Sequence, residues 1–167
     1  FSATSVREIS TRAGISQGAM YTYFKGKDEL IRAIVLEEQN SALSAHKEAA
    51  PGTYFERLCQ QVASCISDVG YPVTHRLWVE IMAESSRNAE LQDAFIASDA
   101  IMRQSLATII EQGMAAGEFR PDINPQEMTI ILFAFIDGLI ARKAINSAFS
   151  LRVDVPMFPE LMAKLLC

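Results

Sequence analysis

Ser5-Val6-Arg7-Glu8-Ile9-Ser10-Thr11-Arg12-Ala13-Gly14-Ile15-Ser16-Gln17-Gly18-Ala19-Met20-Tyr21-Thr22-Tyr23-Phe24 reads as two short helices around one tight turn. Ser5 and Glu8 have the spacing of a capping box: the hydroxyl accepts from the Glu8 amide and the carboxylate reaches back. Val6, Ile9 and Ala13 fall at i, i+3 and i+7, one face of a helix. Gly14 stands where a helix ends in a left-handed residue that only glycine adopts cheaply. Ile15 is placed to plug the turn. Ser16 is the next N-cap candidate and opens a second helix over about 17–24, with Ala19, Met20 and Tyr23 expected to face inward. Lys25-Gly26-Lys27 breaks the chain again. Asp28 and Glu29 then supply the negative first turn of a third helix carrying Leu30, Ile31, Ile34 and Val35 and running to about residue 45.

Outward from this stretch the chain is helical throughout. Pro51-Gly52, Gly70-Tyr71-Pro72, Ser86-Arg87-Asn88 and Glu118-Phe119-Arg120-Pro121-Asp122 are the breaks. They bound helices expected over about 53–69, 74–86 and 89–116. Asn124-Pro125 caps a further helix to about 149, and a last one spans 156–166. No strand-like alternation bounded by turns is present. The expected fold is all-α, with a helix-turn-helix head and connecting helix over 1–45 and a larger helical body over 46–167.

Half of the 167 residues are hydrophobic and only 8 are Gly and 6 Pro, a globular composition that excludes disorder. The net charge of −5 hides an asymmetry. Residues 1–27 hold four basic side chains against Glu8, a net of +3, and the remainder holds 11 basic and 19 acidic, a net of −8. A basic head on an acidic body suits a protein that offers one end to phosphates, although chance clustering on a solvated face gives the same pattern. Cys59, Cys65 and Cys167 form no CxxC pair, which reads as reduced thiols and a cytoplasmic protein. No basic-then-apolar secretion pattern is seen. The most apolar run, 128–141, contains Asp137 and falls short of the about 20 apolar residues of a membrane span.

A helix, a turn at Gly14 and a short second helix can read DNA, because the second helix fits a major groove about 12 Å wide while the first braces it. Gln17 suits base edges, Gly18 allows close backbone approach, and Ala19 and Thr22 suit a thymine methyl. Tyr21 and Tyr23 reach phosphates, and Lys27 adds charge just beyond. Thr4 and Ser5, at the start of the bracing helix, suit a phosphate through free amides and hydroxyls. The same arrangement also serves as an ordinary structural corner.

Residues 2–34, and above all the run from Gly18 through Tyr21 and Phe24 to Lys27 and Leu30, resemble the signature of the TetR repressor family. The resemblance implies a recognition helix on 17–24. It implies DNA contacts at Thr4, Gln17, Gly18, Ala19, Tyr21, Thr22, Tyr23 and Lys27, with Phe24 and Leu30 structural. Members carry a further helix ahead of this signature. The sequence opens at Phe1, where that helix would be ending, and the expectation is that it precedes Phe1, since a head without it would be poorly covered. The body is similar, more loosely, to one subgroup of the family through Leu77-Trp78-Val79-Glu80-Ile81-Met82-Ala83-Glu84, Gly117-Glu118-Phe119-Arg120-Pro121-Asp122 and Phe135-Ile136-Asp137-Gly138-Leu139. The resemblance implies a homodimer through the last two long helices.

The residues point the same way. Ile130, Ile131, Leu132, Phe133, Phe135, Ile136, Leu139 and Ile140 cover more than one face, so their helix is covered on two sides, by its own core and by a second copy, or else lies central in a monomer. Candidate ligand-pocket residues are Phe55, Leu58, Cys59, Val62, Trp78, Ile81, Met82, Phe95, Met102 and Phe133, which at helical spacing also read as plain core. Glu80, Glu84 or Asp137 at the wall would select a cation. His46 and His75 show no ligand spacing for a metal, and no cofactor is implied. Cys59 and Cys65 face different directions and make a weak thiol sensor. No nucleophile–base pair or phosphate loop points to an enzyme. The expectation is therefore a ligand-responsive repressor of a double-stranded palindromic operator, released by a small, largely apolar effector. The alternative is an all-α ligand-binding or scaffolding protein whose head no longer binds DNA. Ligand, operator and regulated genes are not legible.

Overall fold

The computed structural model describes residues 4–47, 51–64, 66 and 74–167, without the side chains of 41–47. The described residues form α1 (Val6–Arg12), α2 (Gln17–Tyr23), α3 (Lys27–Lys47), α4 (Tyr54–Ser64), α5 (His75–Ser85), α6 (Ala89–Ala115), α7 (Pro125–Ile145), α8 (Leu151–Asp154) and α9 (Phe158–Leu166). The expected helix over 53–69 is seen to Ser64. Its last turn and the break at 70–72 lie outside the described residues, as does Cys65.

Caps set the boundaries. The Ser5 hydroxyl accepts from the Glu8 amide at 3.2 Å, and the Ser5 amide donates to the Glu8 carboxylate at 2.7 Å. Thr74, Asn88 and Asn124 cap α5, α6 and α7 through side-chain oxygens. Helices α1 and α6 both end in a glycine at positive φ, Gly14 at 71° and Gly117 at 75°. In each, the next residue's amide reaches back to the carbonyl five residues earlier: Ile15 to Ser10 at 3.0 Å and Glu118 to Gly113 at 2.9 Å. These are Schellman ends, which any side chain at the glycine would strain.

Three details differ from the sequence reading. Helix α7 stops at Ile145, because the Asn146 side chain turns the chain, its Oδ1 accepting from the Ala148 amide at 3.1 Å. The separate single turn α8 follows, held by the Ser150 amide donating to Asp154 at 2.7 Å. Tyr23 does not face inward: it is 77% exposed, whereas Met20 is buried. Met20 and Phe24 lie about 40° apart around an ideal helix and take the inner face, and Tyr23 falls about 60° to the other side. Ile15 is 46% exposed and so only half fills the turn.

Two apolar clusters hold the body. The larger joins α4, α6, α7 and α9 through Leu58, Ile110, Leu132, Ile136 and Met162. The smaller joins Ile31 and Val35 of α3 to Ile81 of α5 and Leu91 of α6. Helix α3, which starts directly after the head, is thereby packed into the body over its second and third turns. Arg32 also pairs with Glu90 at the start of α6.

Candidate nucleic-acid interface and ligand cavity

Helix α2 divides cleanly. Met20 is buried and Ala19 and Phe24 half-buried, while Gln17, Gly18, Tyr21, Thr22 and Tyr23 face solvent. The Ser16 hydroxyl accepts from the Ala19 amide at 3.0 Å and fixes the first turn. A Cβ built on Gly18 would touch nothing closer than the Ser16 hydroxyl, at 3.9 Å, so the outer surface here is bare backbone. The Thr22 hydroxyl donates to the Gly18 carbonyl at 3.1 Å.

Thr4, Ser5 and Lys27 come together around one open hollow between the start of α1 and the start of α3. Lys25 lines it too, a cation within the signature run that was not among the expected DNA contacts. Ser5 is not free in the sense the sequence suggested, since its amide and hydroxyl both engage Glu8. These bonds also hold the exposed Glu8 carboxyl below its usual range, the Ser5 amide being the main cause. Asp28, Glu29 and the Arg32–Glu90 pair also line it.

The body encloses a cavity of about 70 Å³ between α3, α4, α5, α6 and α7. Four of the ten candidate pocket residues line it: Trp78, Phe95, Met102 and Phe133. The Trp78 and Phe95 rings stand 5.6 Å apart at a tilt of 40°. Leu58, Val62 and Ile81 are instead fully enclosed in the apolar clusters. Phe55 and Met82 are half-buried away from the lining. Cys59 lies on a separate groove beside α8 and α9, where burial, and after it Cys167, pushes its thiol up to about 11.

The cavity has three carboxylates. Asp137, one of the three acidic residues the sequence reading weighed, is there. Burial, with Asp99 nearby, pushes its carboxyl up to about 6. Asp99 accepts from Arg103 Nε at 2.7 Å. Glu38, on α3, was not foreseen: it is 8% exposed, its Oε2 has no hydrogen-bond partner, and burial lifts it to about 7. Glu80 and Glu84 are not in the lining, and Glu84 pairs with Arg87 at 2.6 Å. His75 is buried at the start of α5, also off the lining, while the side chain of His46 lies outside the described residues. Among the described residues no three His, Cys, Asp or Glu side chains group to hold a metal, and no helix is long and apolar enough to cross a membrane.

Helix α7 has two apolar sides. Met128, Leu132, Ile136 and Ile140 are buried in the core. Opposite them Ile130, Ile131, Ala134, Gly138 and Ile145 are exposed, and a Cβ at Gly138 would meet open space.

Comparison with known proteins places this arrangement. Residues 1–34 match the family described as bacterial regulatory proteins, tetR family, and residues 56–153 match the C-terminal part of BetI-type transcriptional repressors. The chain is 30% identical over 142 residues to the HTH-type transcriptional regulator UidR of Escherichia coli K12, covering 84% of this chain and 71% of that protein. It is 27% identical over 151 residues to the regulator BetI of Rhizobium meliloti, covering 87% and 70%. The structure of Salmonella enterica GusR superimposes with a TM-score of 0.78 at 26% identity, over 98% of this chain and 83% of that one.

Proposed function

Because the chain belongs to the TetR family of bacterial regulatory proteins, we propose that α2 reads an operator, that the α7 face pairs two copies, and that the cavity holds the effector that releases DNA. It is a helix-turn-helix transcriptional regulator with a helical effector-binding body, and its relatives are regulators rather than enzymes. The observation that carries the reading is the division of α2: one buried anchor, Met20, and a solvent face of Gln17, Gly18, Tyr21, Thr22 and Tyr23 with no side chain at its centre. A rod so presented approaches base edges closely, with Thr4, Lys25 and Lys27 flanking it for phosphates.

Two copies paired through Ile130, Ile131, Ala134 and Gly138 would present two such rods to half-sites about 34–36 Å apart, so the operator is a palindrome. The head extends over 1–45 and the body over 46–167, with α3 shared in packing. The protein acts in the cytoplasm as a repressor. A small effector that prefers the form whose heads do not fit the operator weakens DNA binding, and DNA weakens the effector by the same factor. Selection of binding duplexes from a random pool, followed by gel shift, tests this. A palindromic consensus bound by a dimer supports it, and a pool that never enriches defeats it.

A further inference from the structure

The cavity is unusual in its balance of chemistry. Trp78, Phe95, Met102 and Phe133 make it aromatic and polarizable, yet Glu38, Asp99 and Asp137 bring three acidic groups to it, and among the described residues no basic side chain lines it. Arg103 engages Asp99 by a hydrogen bond of 2.7 Å, so the excess rests with Glu38 and Asp137. Glu38 is the decisive group. It is more than nine-tenths buried, it lines the cavity, and its Oε2 accepts no hydrogen bond. An isolated buried carboxylate oxygen costs several kcal/mol unless something donates to it, and such groups in folded proteins nearly always find a donor. Burial raises the carboxyls of both Glu38 and Asp137, and for Asp137 the neighbouring Asp99 adds to it.

We propose that the effector is a protonated aralkylamine, whose ammonium N–H groups donate to Glu38 Oε2 and to Asp137 while its apolar body lies against Trp78 and Phe95. The inference rests on the reading of this cavity as the effector site. It narrows that reading from a largely apolar molecule to an apolar cation that carries N–H. The N–H matters because an orphaned acceptor needs a donor. A quaternary ammonium of equal charge supplies Coulomb attraction and contact with aromatic faces but no hydrogen bond. A ligand of this kind joins the acidic and aromatic walls in one molecule, which neither a neutral hydrocarbon nor an anion does.

Trp78 is the chain's single tryptophan and lines this cavity, so its emission reports on that wall. The full protein is titrated with 4-phenylbutylammonium, 4-phenylbutanol, 4-phenylbutyltrimethylammonium and 5-phenylpentanoate, following Trp78 fluorescence. The amine is expected to bind at least tenfold tighter than the alcohol, with the trimethylated cation weaker than the amine and the anion weakest. Glu38→Gln is expected to erase most of the amine's margin over the alcohol, and Asp137→Asn to reduce that margin by a smaller factor. If the alcohol or the anion binds as tightly as the amine, or both variants keep the margin, the cation proposal is overturned and the effector-site reading stands. If none of the four probes perturbs Trp78, both fall together.

Discussion

The ring of Phe119 lies directly on the backbone at Gly113, in space that the first carbon of any side chain at 113 would occupy. Both residues are buried, and Gly113 also accepts from the Glu118 amide that closes the end of α6. The glycine is therefore a seat for the ring that leads the chain from α6 toward α7. Gly113→Ala gains up to about 1 kcal/mol of helix propensity. Forcing the ring aside costs about 1–3 kcal/mol. A net loss of stability is expected in urea unfolding, largely removed when Phe119→Leu is added. An alanine variant as stable as the parent would show that the ring shifts freely.

The pair Lys25 and Lys27 should act through charge and not through sequence. Replacing each by alanine is expected to weaken all duplexes alike and to reduce the slope of log affinity against log salt by about one. Gln17→Ala should cost about 1–3 kcal/mol on the selected operator and relax preference at one position of each half-site. Competition binding on single-base operator variants, repeated at several salt concentrations, separates the two behaviours. A Gln17 variant with unaltered base preference would remove that residue from readout.

Ile131 sits 44% exposed on the outer side of α7. Ile131→Glu places an unpaired charge where a second copy is expected to close, a cost of about 3–5 kcal/mol. Sedimentation should then show monomers, with operator affinity down by 100-fold or more and the thermal transition of the isolated subunit little changed. A variant that stays dimeric moves the interface elsewhere.

Glu38 gives a pH signature. Its folded carboxyl titrates near 7 against 4.5 for the ordinary group, so the folded chain holds the extra proton between these values. Its contribution to stability is fully present below about pH 4.5 and is lost as pH rises through 7. Glu38→Gln should therefore be more stable than the parent at pH 8, by the order of 2 kcal/mol, and nearly equal to it at pH 4.5. Parallel urea titrations across this range check the sign. A parent–variant gap that is constant with pH would place Glu38 in contact with water.

Most of the architecture was legible because it is written in local chemistry. Ser5 with Glu8, Ser16, Asn88 and Asn124-Pro125 each announce a helix start, and Gly14 and Gly117 announce ends, through bonds spanning a few residues. The site was only half legible. Periodicity tells which face of a helix is apolar but not at which level of the bundle two faces fail to meet. Leu58 and Trp78 therefore looked alike, although one is sealed in the core and the other borders a void. Glu38 stayed hidden for the opposite reason. In Glu37-Glu38-Gln39-Asn40 it reads as part of a solvated face, and only the packing of α3 against the body buries it. The end of α7 was missed because the Asn146 turn competes with the helix through a bond that many helical asparagines do not make.

Helix α3 begins at Lys27, just beyond Tyr23, and reaches Glu38 about 16 Å further along its axis. The rod that holds the head thus also forms part of the cavity wall. Packed cores change by steps rather than by gradual flexing, so anything that settles Glu38 in a new position pulls on a stiff shaft gripped at Ile31 and Val35. If the cavity is the effector site, filling a space of a few dozen cubic ångströms would act on the same helix that carries the head, with no need for a chain of intermediaries between them.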